Sequence, residues 1–145
     1  MRYSISGMVM TMLVAVLEGC EPSCDFMYAP GGATVELEAD AWPAGTYTVE
    51  VLGEACDLVL PAPDDGTTNY CDSGVLTVHP TEDAQGLRDF RIMMDPPETF
   101  EVVISLDGVE FHRSVVAPVY EQGEPNGPGC GEASYGEATL AVDPV

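Results

Sequence analysis

The residues best suited to chemistry lie in one polar stretch, Asp64-Asp65-Gly66-Thr67-Thr68-Asn69-Tyr70-Cys71-Asp72. Asp64, Asp65, Asn69 and Asp72 carry hard oxygen donors of the kind calcium takes, and a divalent cation there would relieve their mutual repulsion. Their spacing is not that of an EF-hand loop, so a calcium site rests on donor type alone, and a solvated turn explains the same residues. His79 in Val78-His79-Pro80 and His112 in Phe111-His112-Arg113 belong to no ligand or catalytic motif. The chain contains no nucleophile elbow, HExxH, P-loop or GxGxxG pattern. Acidic residues are so abundant that two facing carboxylates arise by chance, so no glycosidase-type pair is assigned. No catalytic residue is named. An enzyme or enzyme accessory subunit using carboxylates stands as one alternative, and a calcium-dependent adhesion domain as another.

The charge balance narrows the partners. The 145 residues include 25 acidic and 4 basic side chains, for a formal net charge of −21, and there is no lysine. Such a field repels nucleic acid and anionic lipid surfaces, so nucleic acid is excluded as a partner. Hydrophobic residues still make up 46% of the chain and they alternate with polar ones, which distinguishes it from a disordered acidic tail. Arg88, Arg91 and Arg113 are the only cationic side chains beyond Arg2. Arg91 and Arg113 lie on segments that could be neighbours, and pairing with nearby carboxylates is their plainest role. Tyr28, Tyr120 and Tyr135 flank loops, where tyrosines serve as rim, core or binding-surface residues.

The first residues read as a targeting segment. Met1-Arg2-Tyr3-Ser4 is a short cationic start, and Ile5 to Leu17 is apolar. That run is shorter than the ~20 residues a membrane-crossing helix needs, and it fits the apolar region of a signal peptide. Leu17-Glu18-Gly19-Cys20 closes it. This tetrapeptide resembles the lipobox of bacterial lipoproteins, with Leu17 and Gly19 matching and Glu18 in place of a small residue. The resemblance implies that Cys20 is diacylglyceryl-modified, that cleavage precedes it, and that the new amine is acylated. Two or three acyl chains make a stable bilayer anchor, where one is reversible. Residues 1–19 are then a signal peptide, 20–32 a lipidated cysteine with a short Pro/Gly tether, and 33–145 a single folded domain. The whole resembles the small acidic envelope lipoproteins of bacteria.

Cysteine arithmetic agrees. Cys20, Cys24, Cys56, Cys71 and Cys130 are an odd set, and lipidation of Cys20 leaves four. Four cysteines in an oxidising compartment can form two disulfides with three possible connectivities. Cys56–Cys71 is favoured because it would restrain a Pro- and Gly-containing excursion with little core of its own. Cys24–Cys130 would tie the start of the domain to the Gly/Pro-rich segment near its end. No CxxC is present and no histidine lies near a cysteine, which argues against structural zinc.

The elements that must carry these residues are strands. Val35, Leu37 and Ala39 alternate with acidic residues, and Tyr47, Val49 and Val51 repeat the pattern. Leu58 to Leu60, then Leu76 and Val78, are shorter runs. Phe90, Ile92 and Met94 form another inward series, and Phe100, Val102, Ile104 and Leu106 the clearest one. Asp107-Gly108 follows at once, a strong signal for a type I′ hairpin. Val109 and Phe111 lie beyond the turn, and Val115, Ala117 and Val119 are expected to continue the partner strand. Ala138, Leu140 and Val142 close the chain.

About eight short strands, with no helix beyond the signal helix, predict an all-β fold. The expected form is an antiparallel β-sandwich of immunoglobulin-like architecture. The expected function is a binding or structural module of the cell envelope. It would be exported and anchored through acylated Cys20 to a bacterial membrane, with the outer membrane or cell surface favoured over the inner. An unidentified protein or glycan would be its partner.

Overall fold

The computed structural model describes residues 31–63, 70–124, 127 and 130–145. The described residues form ten strands and no helix. In chain order these are β1 (Gly32–Glu38), β2 (Gly45–Val51), β3 (Glu54–Leu60), β4 (Cys71–Asp72) and β5 (Leu76–Pro80). They continue with β6 (Leu87–Ile92), β7 (Phe100–Leu106), β8 (Val109–Val116), β9 (Val119–Gly123) and β10 (Ala133–Ala141). The strands pair into a six-stranded sheet, β4-β5-β6-β1-β10-β9, and a four-stranded sheet, β3-β2-β7-β8. The expected sandwich is therefore present, with short extra strands at β4 and β9.

Alternation explains the core. Val35, Tyr47, Val49, Val78, Phe90, Val102 and Ile104 have no exposed surface, and each stands on the inward face of its strand. The acidic residues between them, such as Glu36, Glu50 and Glu101, face solvent. One face of each sheet thus removes apolar surface from water while the other keeps the charge hydrated. Tyr47 anchors one end of the core. Its ring meets Trp42 and Phe111 edge-on, at 5.4 and 6.1 Å between centroids, and its hydroxyl donates to the Pro43 carbonyl at 2.7 Å.

One pairing is not antiparallel. β1 lies beside β10 in parallel, with Val35 opposite Ala138 and Leu37 opposite Leu140. The other edge of β1 pairs antiparallel with β6. Periodicity assigns β1 and β10 inward faces correctly but contains no information on their mutual direction.

The hairpin at Asp107-Gly108 forms as expected, with φ of 51° and 79° at its two central residues. Asp107 also locks the turn to β2, since its Oδ1 accepts from the Thr46 amide at 2.9 Å. The strand beyond departs from expectation. β8 carries a bulge in which Ile104 pairs with His112 and Ser105 with Glu110, so Phe111 is an extra residue. One extra residue reverses the inward parity of all that follow. Ser114 and Val116 now stand opposite the buried Val102 and Phe100, and Val115 turns outward. The chain then leaves this sheet at Ala117-Pro118 and enters the other as β9, where Val119 is exposed. Val115, Ala117 and Val119 are therefore not an inner-face series. Met94 is likewise exposed, because β6 ends at Ile92.

Cys56 and Cys71 are bridged, as expected, with Cα atoms 5.6 Å apart. Cys56 is on β3 and Cys71 on β4, so the bond links the two sheets along one side of the sandwich. Closing this 15-residue separation removes unfolded-state entropy worth about 3 kcal/mol. The double variant Cys56→Ala/Cys71→Ala should lose about that much unfolding free energy in a urea titration. An unchanged midpoint would show that the bridge is not a stability element.

Candidate ligand-binding groove

Two ends of the sandwich can be told apart by strand direction. β1 and β10 begin at one end, where the described chain starts at residue 31 and where Cys130 lies just ahead of β10. At the opposite end lie the β1–β2 connection, the hairpin at Asp107-Gly108 and the turn between β5 and β6. The cluster of polar groups best placed to act on a ligand is at this second end, on and beside β5 and β6.

It is built around Asp89. Leu87 and Phe90 are both buried and inward, with two residues between them. The ladder accommodates this by a bulge: His79 pairs with Asp89 and Pro80 with Leu87, leaving Arg88 as the extra residue. Asp89 consequently points to the outer face of the sheet, yet it is only 4% exposed. Its neighbours cover it. His79 Nδ1 lies 2.8 Å from one carboxylate oxygen, and Arg88 Nε donates to the other at 2.7 Å. Arg91 Nε adds a looser ion pair at 3.5 Å.

Burial pushes the Asp89 carboxyl up, but the hydrogen bonds and charges of Arg88 and His79 outweigh it, and the group is held below its ordinary value. An ionised carboxylate can only accept, so His79 presents its Nδ1 proton to Asp89. Among the described residues no hydrogen bond engages the other ring nitrogen, Nε2. Arg88 is fixed in the same way. Among the described residues its guanidinium is engaged only through Nε, which leaves both Nη groups open.

His79 and Arg88 line a groove of about 560 Å³, within the range of small-ligand sites. Its far wall is the turn from Thr81 to Gly86. Thr81 Oγ1 donates to Asp83 Oδ1 at 2.6 Å and accepts from the Gly86 amide at 3.0 Å, while the Gln85 amide donates to Asp83 at 3.1 Å. The Thr81 bond, with that from Gln85, lowers the Asp83 carboxyl below its ordinary value. The Ala62 amide binds the Ala84 carbonyl at 2.9 Å, which ties the β3–β4 connection to this turn. Trp42 packs so closely over Gly86 that an added Cβ would come within 2.3 Å of the indole, so only glycine fits. Tyr70 forms the near wall. It is 45% exposed, and its ring lies 6.0 Å from that of His79 with a 32° tilt.

The other sequence candidates fall elsewhere. Cys20, Cys24, Asp64, Asp65, Asn69 and Tyr28 lie outside the described residues. Cys130 is disulfide-bonded. Asp72 closes the β4–β5 turn, accepting from the Gly74 amide at 2.7 Å. Among the described residues no three His, Cys, Asp or Glu side chains gather as metal ligands. Arg91 and Arg113 are not neighbours, since β6 and β8 belong to different sheets. Both pair with carboxylates, Arg113 with Glu110 and Glu101 at 2.7 and 2.6 Å. His112 reaches Ser114 Oγ at 2.8 Å, and burial lowers its pKa. Tyr120 donates to the Pro97 carbonyl at 3.1 Å. The Asp89 cluster was not among the sequence candidates. Its one signal is the spacing Leu87-Arg88-Asp89-Phe90, two apolar residues three apart inside a run of alternation.

The lowered carboxyl sets a pH dependence. Asp89 has a folded pKa below its unfolded value, so its contribution is present above the unfolded value near 3.8 and is lost as pH falls through the folded one. Asp89→Asn should cost on the order of 1–3 kcal/mol at neutral pH, read by urea denaturation, and should flatten the acid limb of the stability profile. An unaltered acid limb would count against the coupling. No family model, curated protein or solved structure matches the chain, so a function for this groove rests on its geometry alone.

Proposed function

We propose that the protein is an exported, lipid-anchored domain of a bacterial cell envelope, and that it binds a partner through the Tyr70–His79–Arg88 groove. The observation that carries this reading is the placement of the groove. The chain enters β1 at Gly32, and the groove lies at the other end of the same sheet. A domain tethered upstream of residue 32 would hold its anchored end near the bilayer and turn the groove away from it. A cysteine anchor at Cys20 requires only a dozen residues of tether, which keeps the domain close to the surface that holds it.

Two further features support the reading. The Cys56–Cys71 bond is of a kind that persists in oxidising compartments and is rare in the cytosol. The groove is walled by side chains whose rotamers are already fixed by hydrogen bonds, so little ordering is left for binding to supply. A module that recognises rather than transforms fits the groups present: a cation, a ring nitrogen and an aromatic face, beside a hydroxyl that Asp83 already holds.

Mass spectrometry of the membrane fraction tests the anchor. The expected result is an N-terminal peptide beginning at Cys20 and carrying acyl chains, with Cys20→Ala abolishing that modification. A soluble mature protein starting elsewhere would overturn the anchored reading.

A further inference from the structure

The groove has a chemical bias that the rest of the surface lacks. The chain carries only four arginines and two histidines. Two of those arginines and one of the histidines converge on Asp89. Elsewhere the surface is overwhelmingly acidic. A single buried carboxylate thus gathers donors at one place on a strongly anionic molecule, and Arg88 is the cation among them that lines the groove.

We propose that this groove binds a carboxylate-bearing sugar, a single uronate residue of an otherwise neutral glycan, with Arg88 on the carboxylate and Tyr70 against the ring. The inference rests on the binding role assigned to the groove above. Arg88 uses Nε to hold Asp89, so the Nη pair forms a planar two-pronged edge, and that edge matches a carboxylate bidentately. The exposed face of Tyr70 is a flat amphipathic platform beside it. Nε2 of His79, on the side of the ring away from Asp89, exchanges a hydrogen bond with a sugar hydroxyl, which can donate or accept. Glu82 and Asp83 on the far wall supply further acceptors for hydroxyls.

Charge selects among anions. A net charge of −21 opposes any polyanion, a run of consecutive uronates included, and Glu82 and Asp83 oppose a dianion at close range. One open guanidinium edge against that field suits a single carboxylate, not a phosphate. A peptide fits less well than a sugar. Peptides dock by adding a strand to an open sheet edge or by filling apolar pockets. Here β4 covers the edge of β5 only at Thr77 and Val78, but beyond it Pro80 has no amide hydrogen to give an added strand, and most side chains lining the groove are polar.

The test is a calorimetric titration of the full chain in detergent. The probes are a trimer with one galacturonate between two neutral galactoses, its methyl ester, inorganic phosphate, and a short peptide with a free C-terminal carboxylate. The expected outcome is saturable binding of the trimer that weakens with added salt, with the ester at least about tenfold weaker. Arg88→Lys keeps the charge on Asp89 but loses the fork, and should weaken the trimer by at least about tenfold. Tyr70→Ala removes an exposed ring without touching the buried carboxylate and should weaken it as well. Arg113→Gln, on the other sheet, should leave binding unchanged. Equal binding of trimer and ester, preference for phosphate or for the peptide, indifference to both Arg88→Lys and Tyr70→Ala, or no heat from the trimer would each overturn the uronate assignment. Peptide or phosphate binding that is lost in Arg88→Lys would leave the binding role of the groove intact. Silence from all four probes would count against that role too.

Discussion

The parallel pairing of β1 with β10 is the constraint on which the rest of the sandwich depends. It joins residues 32–38 to residues 135–141, so two segments nearly a whole domain apart in sequence meet in the interior of the larger sheet. Every other strand of that sheet takes its place from this pair. β6 attaches to the free edge of β1 and brings β5 and β4 with it, while β9 attaches to β10. The register of β1 with β6 also sets the outer face, because it places Glu36 beside Asp89 and Thr34 beside Arg91. The groove is thus positioned by backbone pairing that begins two strands away from it.

A second constraint acts within that frame. A carboxylate removed from water must be met by donors, and the cost of leaving it unmet is several kcal/mol. Asp89 is nearly inaccessible and ionised, so Arg88 and His79 are held where they are by the need to satisfy it. The bulge at Arg88 makes this possible, since it lets Leu87 and Phe90 both reach the core while Asp89 turns outward. Ordering of side chains next to a groove is commonly achieved at some expense in stability. Here the same hydrogen bonds serve both ends, because the carboxylate that orders the cation and the imidazole is itself stabilised by them.

Sequence alternation made most of the inner faces legible. Val35 and Leu37, Tyr47 to Val51, and Phe100 to Ile104 all stand where a period of two puts them, and Asp107-Gly108 makes the tight turn its composition demands. The disulfide was legible from the poverty of the segment it closes. What escaped has a common physical origin. Bulges insert one residue and reverse parity, and nothing in hydropathy marks them strongly: Phe111 shifted the whole series from Ser114 to Val116, and Arg88 hid the outward turn of Asp89. Strand direction and partner choice escaped for another reason, because they are set by contacts between distant segments. The groove was invisible in sequence on both counts, since Tyr70, His79 and Arg88 come together only through two strand pairings and a bulge.

The late position of β10 has a consequence for how such a chain can be delivered. The larger sheet lacks its middle until residues 133–141 are available to β1. A chain that emerges N-terminus first, from a ribosome or through a membrane pore, can pair β1 with β6 once residue 92 is out, but the other edge of β1 stays open until β10 follows. Non-local closure of this kind is slow, on the order of milliseconds to seconds for sandwiches of high contact order. Slow closure keeps the polypeptide threadable in transit. It also leaves the partly delivered chain dependent on its dense negative charge to discourage strands of neighbouring chains from pairing in place of its own.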